Sequence, residues 1–283
     1  MSVEALLAQL SDTKAESGTR RDAANAIGSL RAEEVTSECA SSIVRELANP
    51  HNCDVGGGAI SVRRAALLAF SQLCHHSDGL PAALLACVPE LSALLAYDDP
   101  DVREMAVRAM GELGEHADAV AVAARLEDEE SDVRSAAVDT LVVLRDVIGT
   151  DDLAAIASRL DEQHDEDTRI SALKTLGGCL SPSLVAATHA ATVAGCLTDE
   201  AAAVRAAAAS ALGAMGGVRS DECHAGLGAL LEDDDASVRA AAVTSLGQLD
   251  AQEHADALLV LLGDADRGVR SAATRTLKRW GMA

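Results

Sequence analysis

Val204-Arg205-Ala206-Ala207-Ala208-Ala209-Ser210-Ala211-Leu212-Gly213 and Val238-Arg239-Ala240-Ala241-Ala242-Val243-Thr244-Ser245-Leu246-Gly247 are two copies of one phrase. Weaker copies open at Thr19-Arg20, Val62-Arg63, Val102-Arg103, Val133-Arg134, Thr168-Arg169 and Val269-Arg270. Eight arginines thus stand in register along the chain, 31 to 43 residues apart. A period in that range marks a stack of helical pairs. Each pair in such a stack leans only on its neighbours, so 283 residues need no common core. The functional question moves accordingly from a pocket to an extended surface.

Inside the phrase, the residues at offsets 0, 4, 7 and 8 from the Val share one helix face and form its apolar stripe. The glycine at offset 9 (Gly28, Gly111, Gly177, Gly213, Gly247) either ends the helix or lets a neighbouring helix come close. The phrase therefore reads as the second helix of each pair. A first helix precedes it and ends in Leu followed by acids, as at Leu126-Glu127-Asp128, Leu160-Asp161-Glu162 and Leu231-Glu232-Asp233-Asp234-Asp235. Acids in that turn cap the free N–H groups of the second helix and suit its positive end. Pro81, Pro100 and Pro182 fall at helix starts.

The expected architecture is all-α: a right-handed superhelical α-solenoid of about eight helix-turn-helix repeats, forming a single domain over 1–283. Its repeat limits are about 1–32, 33–79, 80–114, 115–148, 149–180, 181–217, 218–249 and 250–283. The glycine-rich segment 49–58 breaks the period and reads as a surface loop.

Composition narrows the classes. Hydrophobic residues make up 49% and aromatics 1% (Phe70, Tyr97 and Trp280). Small apolar side chains on regular helices imply close helix packing. The net charge is −22, from 45 acids against 23 bases, and only Lys14, Lys174 and Lys278 are lysines. Abundant acids with scarce lysine resemble the composition of proteins from salt-accumulating halophiles. Such a charge argues against a nucleic-acid partner, as does the lack of aromatics on which to stack bases. Seven cysteines, an odd number in helical settings, fit reduced thiols in the cytoplasm. The acidic start Met1-Ser2-Val3-Glu4 is unlike a signal peptide, and no apolar run is long enough for a membrane span.

Asp101-Val102-Arg103, Asp132-Val133-Arg134 and Asp235-Ala236-Ser237-Val238-Arg239, each followed by the Ala and Leu-Gly positions, resemble HEAT repeats. The similarity is to the short HEAT-like type of the phycobilisome-lyase family, and it extends over the whole chain. It implies that Arg103, Arg134, Arg169, Arg205 and Arg239 pair with turn acids of neighbouring repeats as a structural ladder. It also implies that the second helices line a concave face.

On that face, offsets 2 and 6 point away from the apolar stripe. They vary while the framework repeats. Candidate partner-binding residues there are Arg21, Asn25, Arg64, Leu68, Glu104, Arg108, Asp139, Lys174, Thr244 and Arg275. Arg21, Arg64 and Arg108 with Leu68 make the N-terminal part the more basic and adhesive. The expected function is a non-enzymatic protein-interaction scaffold or adaptor of regulatory or signalling type that binds another protein. The alternative is a lyase-type enzyme or enzyme subunit acting on a tetrapyrrole or a protein side chain.

No catalytic motif is present, and no cofactor is expected. His51-Asn52-Cys53 and Cys74-His75-His76 could supply metal ligands, but a helix of about 13 residues, roughly 20 Å, separates them. Glu115-His116 and Glu253-His254 invert the His-Glu order of a HEAT-like di-iron hydroxylase family and sit at first-helix starts. They read as start signals. Arg267, Arg270, Arg275, Lys278 and Arg279 follow the last acid and read as a polar helix capping the stack, with a docking patch for an acidic partner as the alternative.

Overall fold

The structure, a computed structural model, describes residues 1–49, 62–75, 80–179, 185–216 and 221–282. Among them all regular structure is helical. The first compact unit, Met1–Thr140, holds α1 (Val3–Ser11), α2 (Ser17–Gly28), α3 (Ser37–Ala48), α4 (Val62–Cys74), α5 (Ala82–Leu85), α6 (Val88–Leu94), α7 (Pro100–Gly111), α8 (Ala119–Ala123) and most of α9 (Ser131–Val143). The second, Leu141–Ala283, holds α10 (Thr150–Ala157), α11 (Glu166–Gly178), α12 (Val185–Gly195), α13 (Ala202–Ala214), α14 (Asp221–Ala229), α15 (Ala236–Gln248), α16 (Ala255–Val260) and α17 (Arg267–Arg279). Within each unit the helices pair and stack as an α-solenoid does. The repeated phrase forms the second helix each time: α2, α4, α7, α9, α11, α13, α15 and α17.

The apolar stripe is the core. Val204, Ala208 and Leu212 in α13, like Val238, Ala242 and Leu246 in α15, have no exposed surface. Because the stripe is mostly alanine, neighbouring second helices approach closely. Gly28 and Gly213 show how closely. A Cβ on Gly28 would stand 2.7 Å from Ala69 Cα, and one on Gly213 would stand 2.7 Å from Ser245 Cβ. Neither glycine has a positive φ, so close approach is their role.

Turn acids cap the helices they precede. Asp165 accepts from the Thr168 amide at 2.7 Å, Asp235 from Ser237 at 2.7 Å and Asp266 from Val269 at 3.0 Å. Pro100 is the first residue of α7, and Pro81 caps α5. Pro182 and most of the 49–58 insertion lie outside the described residues, as do His51, Cys53 and His76.

Two local features differ from a plain helix-turn-helix reading. The third pair has a divided first helix, α5 and α6, with Pro89 in the first turn of α6. A proline there has no N–H to donate to the preceding turn, and the helix is interrupted at Ala86 and Cys87 before it resumes at Val88. Several first helices also tighten to 3₁₀ turns at their ends, at Ala124–Glu127, Ser158–Leu160, Cys196–Thr198, Leu230–Glu232 and Leu261–Gly263. These turns bring backbone carbonyls within reach of the repeated arginines.

Candidate functional site

The most conspicuous charges, the repeated arginines, are used inside the stack. Arg103 donates from Nε and Nη2 to the two carboxylate oxygens of Asp128, at 2.8 and 2.7 Å, in the following repeat. Its Nη1 donates to the carbonyls of Tyr97 and Asp98 in its own turn, both at 2.9 Å. Arg205 repeats this with Asp233 at 2.7 and 2.9 Å, and Arg239 with Asp264 at 2.8 and 2.9 Å. Arg169 reaches Asp199 at 3.0 Å, Arg63 pairs with Asp99 at 2.9 Å, and Arg20 pairs with buried Glu46. Arg134 donates to the Asp128 and Glu129 carbonyls at 2.7 and 2.9 Å. Arg270 holds the carbonyls of Asp264 and Ala265 at 2.7 and 2.8 Å, and among the described residues no carboxylate pairs with it.

Each ladder aspartate also orders its own turn. Asp128, Asp233 and Asp264 accept the amides of Glu130, Asp235 and Asp266. Burial works to raise the Asp128 carboxyl, but the Arg103 hydrogen bonds, the Glu130 amide and the charges of Arg103 and Arg125 hold it below the usual carboxylate range. The Arg205 hydrogen bond lowers Asp233, and the Arg239 hydrogen bond lowers Asp264. These groups are partnered and serve stacking.

The face left to solvent is the row at offset 6 of the second helices. Asn25, Leu68, Arg108, Asp139, Lys174, Ser210, Thr244 and Arg275 are all exposed. Offset 2 is exposed at Arg64 and half-buried at Arg21 and Glu104. The ten candidate binding residues divide between the units: seven lie in Met1–Thr140, and Lys174, Thr244 and Arg275 lie in Leu141–Ala283. In the first unit the cations have acidic neighbours. Arg108 is held by Glu104 at 2.9 Å, and Arg21 stands 3.9 Å from Asp22.

In the second unit Lys174 and Ser210 of this row border a groove of about 700 Å³ across α11, α13 and α15. Ile170, Ala206, Ala207, Ala214 and Ala241 make it apolar, and Lys174 stands at one side. Ser210 and Thr244 belong to the same row, but their hydroxyls donate to the carbonyls of Ala206 and Ala240, at 2.9 and 2.8 Å. A sequence shows these two residues as polar, whereas their donors are spent within their own helices. A smaller cleft of about 180 Å³ follows, lined by Thr244, Gln248, Ala272, Arg275 and Arg279.

The Glu-His pairs do sit where first helices begin. Glu115-His116 and Glu253-His254 lie in 3₁₀ turns ahead of α8 and α16. His224 Nδ1 and Glu253 Oε1 also meet at 2.7 Å, a contact between successive repeats that the sequence period does not reveal. Among the described residues no group of three or more His, Cys, Asp and Glu is arranged to hold a metal ion. Burial pushes the thiols of Cys74 and Cys179 up to about 12 and that of Cys196 up to about 11, so they are poor nucleophiles at neutral pH. Among the described residues no helix is long and apolar enough to cross a membrane.

Comparison with known proteins agrees with the architecture. The family model for HEAT repeats matches residues 57–142 and 225–283, and the one for the PBS lyase HEAT-like repeat matches residues 204–233. Among solved structures, importin beta superposes with a TM-score of 0.73 at 12% identity, over 98% of this chain and 41% of that one. Kap121p superposes with a TM-score of 0.60 at 12% identity, over 98% of this chain and 33% of that one. The chain thus spans well under half of either, and at this identity the likeness is one of fold. No curated protein matches the chain.

Proposed function

The chain belongs to the HEAT repeat family, and from that premise we propose that it is a non-enzymatic scaffold or adaptor, regulatory or signalling in role, that binds a partner protein on the exposed face of its second helices. One observation carries this reading: every residue at offset 6 is exposed, and the row spans amide, apolar, acidic, basic and hydroxyl side chains, while the framework around it repeats. A varied row on a fixed frame is how repeat proteins build recognition surfaces. The ladder supports the reading, because it takes the repeated charges out of contention and leaves the variable row as the place for specificity. The partner-binding set is Arg21, Asn25, Arg64, Leu68, Glu104, Arg108, Asp139, Lys174, Thr244 and Arg275. The low lysine content and the acid excess support a cytoplasmic setting in a salt-accumulating cell, where screening offsets a net charge of −22. They also count against a nucleic-acid partner.

The test is affinity purification of the tagged chain from its native cell in molar KCl. A stoichiometric protein partner and a colourless, metal-free chain are the expected result. Reversing Arg64 and Arg108 together should weaken that partner. Bound tetrapyrrole or iron, or failure to recover any stoichiometric protein, would reject the scaffold reading; pigment or iron would favour a lyase-type enzyme.

A further inference from the structure

We propose that the groove across α11, α13 and α15 docks an acidic amphipathic helix of a partner protein. The proposal rests on the scaffold reading and assigns it a site and a ligand chemistry. Three observations on the second unit carry it. The first is shape: the groove offers about 700 Å³ of open, mostly apolar space above a floor of Ala206, Ala207 and Ala241. Alanine floors are shallow enough for larger apolar side chains, such as Leu or Met, to fill from above. The second is the state of the floor hydroxyls. Ser210 has already donated to the Ala206 carbonyl and Ser237 to the Asp235 carboxylate, so the hydroxyls lining the groove present little unmet polarity to an apolar occupant.

The third observation is charge. The chain carries 45 acids, yet no carboxylate lines the groove or the adjoining cleft. The ionisable groups lining them are Lys174 on α11 and Arg275 and Arg279 on α17. Among the described residues none of these three has a carboxylate partner, whereas Arg108 on the first unit's row is already held by Glu104. Cations left unpaired at either side of an apolar strip, in so acidic a chain, are complementary to an occupant with carboxylates at both ends. Three helix spacings of about 8–10 Å separate α11 from α17, which a helix of roughly 16–20 residues would cross. Its apolar face, repeating every three or four residues, would lie on the floor.

The probe is a fluorescein-labelled synthetic peptide of about 18 residues, with a Leu stripe on one face and Glu at both ends. A control peptide carries Lys in place of each Glu. Binding to the full chain is read by anisotropy in 1 M KCl, where the screening length of about 3 Å removes long-range repulsion but spares close contacts. The acidic peptide should bind at least tenfold more tightly than the control. Ala206→Glu should weaken it tenfold or more, and Lys174→Glu with Arg275→Glu should invert the preference between the peptides. Ser210→Glu, at an exposed position, serves the same purpose if Ala206→Glu does not fold. Equal binding of the two peptides, binding of neither, or indifference to the floor substitutions overturns the groove. A native partner retained by the groove variants but lost with Arg64→Glu and Arg108→Glu would overturn the groove alone and leave the scaffold reading standing.

Discussion

Arg205 grips Asp233 of the following repeat through two parallel hydrogen bonds, while its third nitrogen holds the Asp199 and Glu200 carbonyls of its own turn at 2.8 and 3.0 Å. One side chain therefore sets both the shape of a turn and the spacing to the next repeat. The same arrangement at Arg103 and Asp128 is the most enclosed, with side chains 7% and 2% exposed. Removing one member strands the other's charge away from water. Arg103→Gln or Asp128→Asn should cost about 2–4 kcal/mol. Arg270→Gln removes only bonds to carbonyls at a more open position and should cost clearly less. Chemical denaturation of the three variants checks the order, and equal losses at Arg103 and Arg270 would show that the cross-repeat pair contributes little.

The offset-9 glycines make a second contrast. A methyl at Gly213 would press on Ser245, at 2.7 Å from its Cβ, in a helix interface with no slack. Gly213→Ala should destabilise by about 1–3 kcal/mol. Gly195 ends α12 with helical dihedrals, is exposed, and would place a Cβ with nothing within 4 Å. Gly195→Ala should raise stability by about 0.5–1 kcal/mol by restricting the unfolded chain. Thermal melts of the two variants should move in opposite directions.

The Val-Arg phrase made the repeats and their apolar stripe legible because both follow from residue type at fixed spacing. Offset 6 could be placed on the outside for the same reason, as exposed Asn25 and Lys174 show. What each exposed residue does could not be read. Arg108 looks like a free cation until Glu104 is seen across one helical turn, and Ser210 looks like a donor until its bond to Ala206 is seen. The groove above Ala206 and Ala241 was missed because alanines carry no individual signal; only three helices side by side create it. The sequence signal that could have drawn attention to it was the absence of acids from the second-unit row in a chain rich in them. The His224–Glu253 contact depends on how two first helices align, which the period leaves unspecified.

The ladder also fixes a pH response. Asp128, Asp233 and Asp264 titrate below their ordinary range in the folded chain. A lowered folded value means that the stabilisation is fully present above the unfolded value, about pH 4 for Asp. It is lost as pH falls toward and through the folded values. In molar salt, stability should hold nearly level from pH 7 to about 5 and fall steeply below about 4. Calorimetric midpoints across that range check the curve. Asp128→Asn should flatten the acid limb, and an unchanged limb would detach the ladder from acid unfolding.

Salt is the sharpest lever on the whole chain. A charge of −22 repels itself, and the ladder does nothing to reduce it, because each Arg–Asp pair is neutral and the 22 surplus acids remain. In dilute buffer the screening length reaches about 30 Å at 0.01 M, long enough to couple carboxylates several helices apart. In molar salt it falls to about 3 Å, and only neighbours interact. Burial of apolar surface is insensitive to this screening, so a rise in stability with KCl at neutral pH reports the relief of repulsion. A gain of about 2 kcal/mol would lift the midpoint by roughly 4–8 °C. Partial acidification at low salt should mimic the effect between pH 7 and about 5, by neutralising exposed carboxylates before the ladder titrates. Equal midpoints in 0.05 M and 2 M KCl would mean that the acids are distributed without net strain. They would remove the case for a salt-adapted chain while leaving the repeat fold untouched.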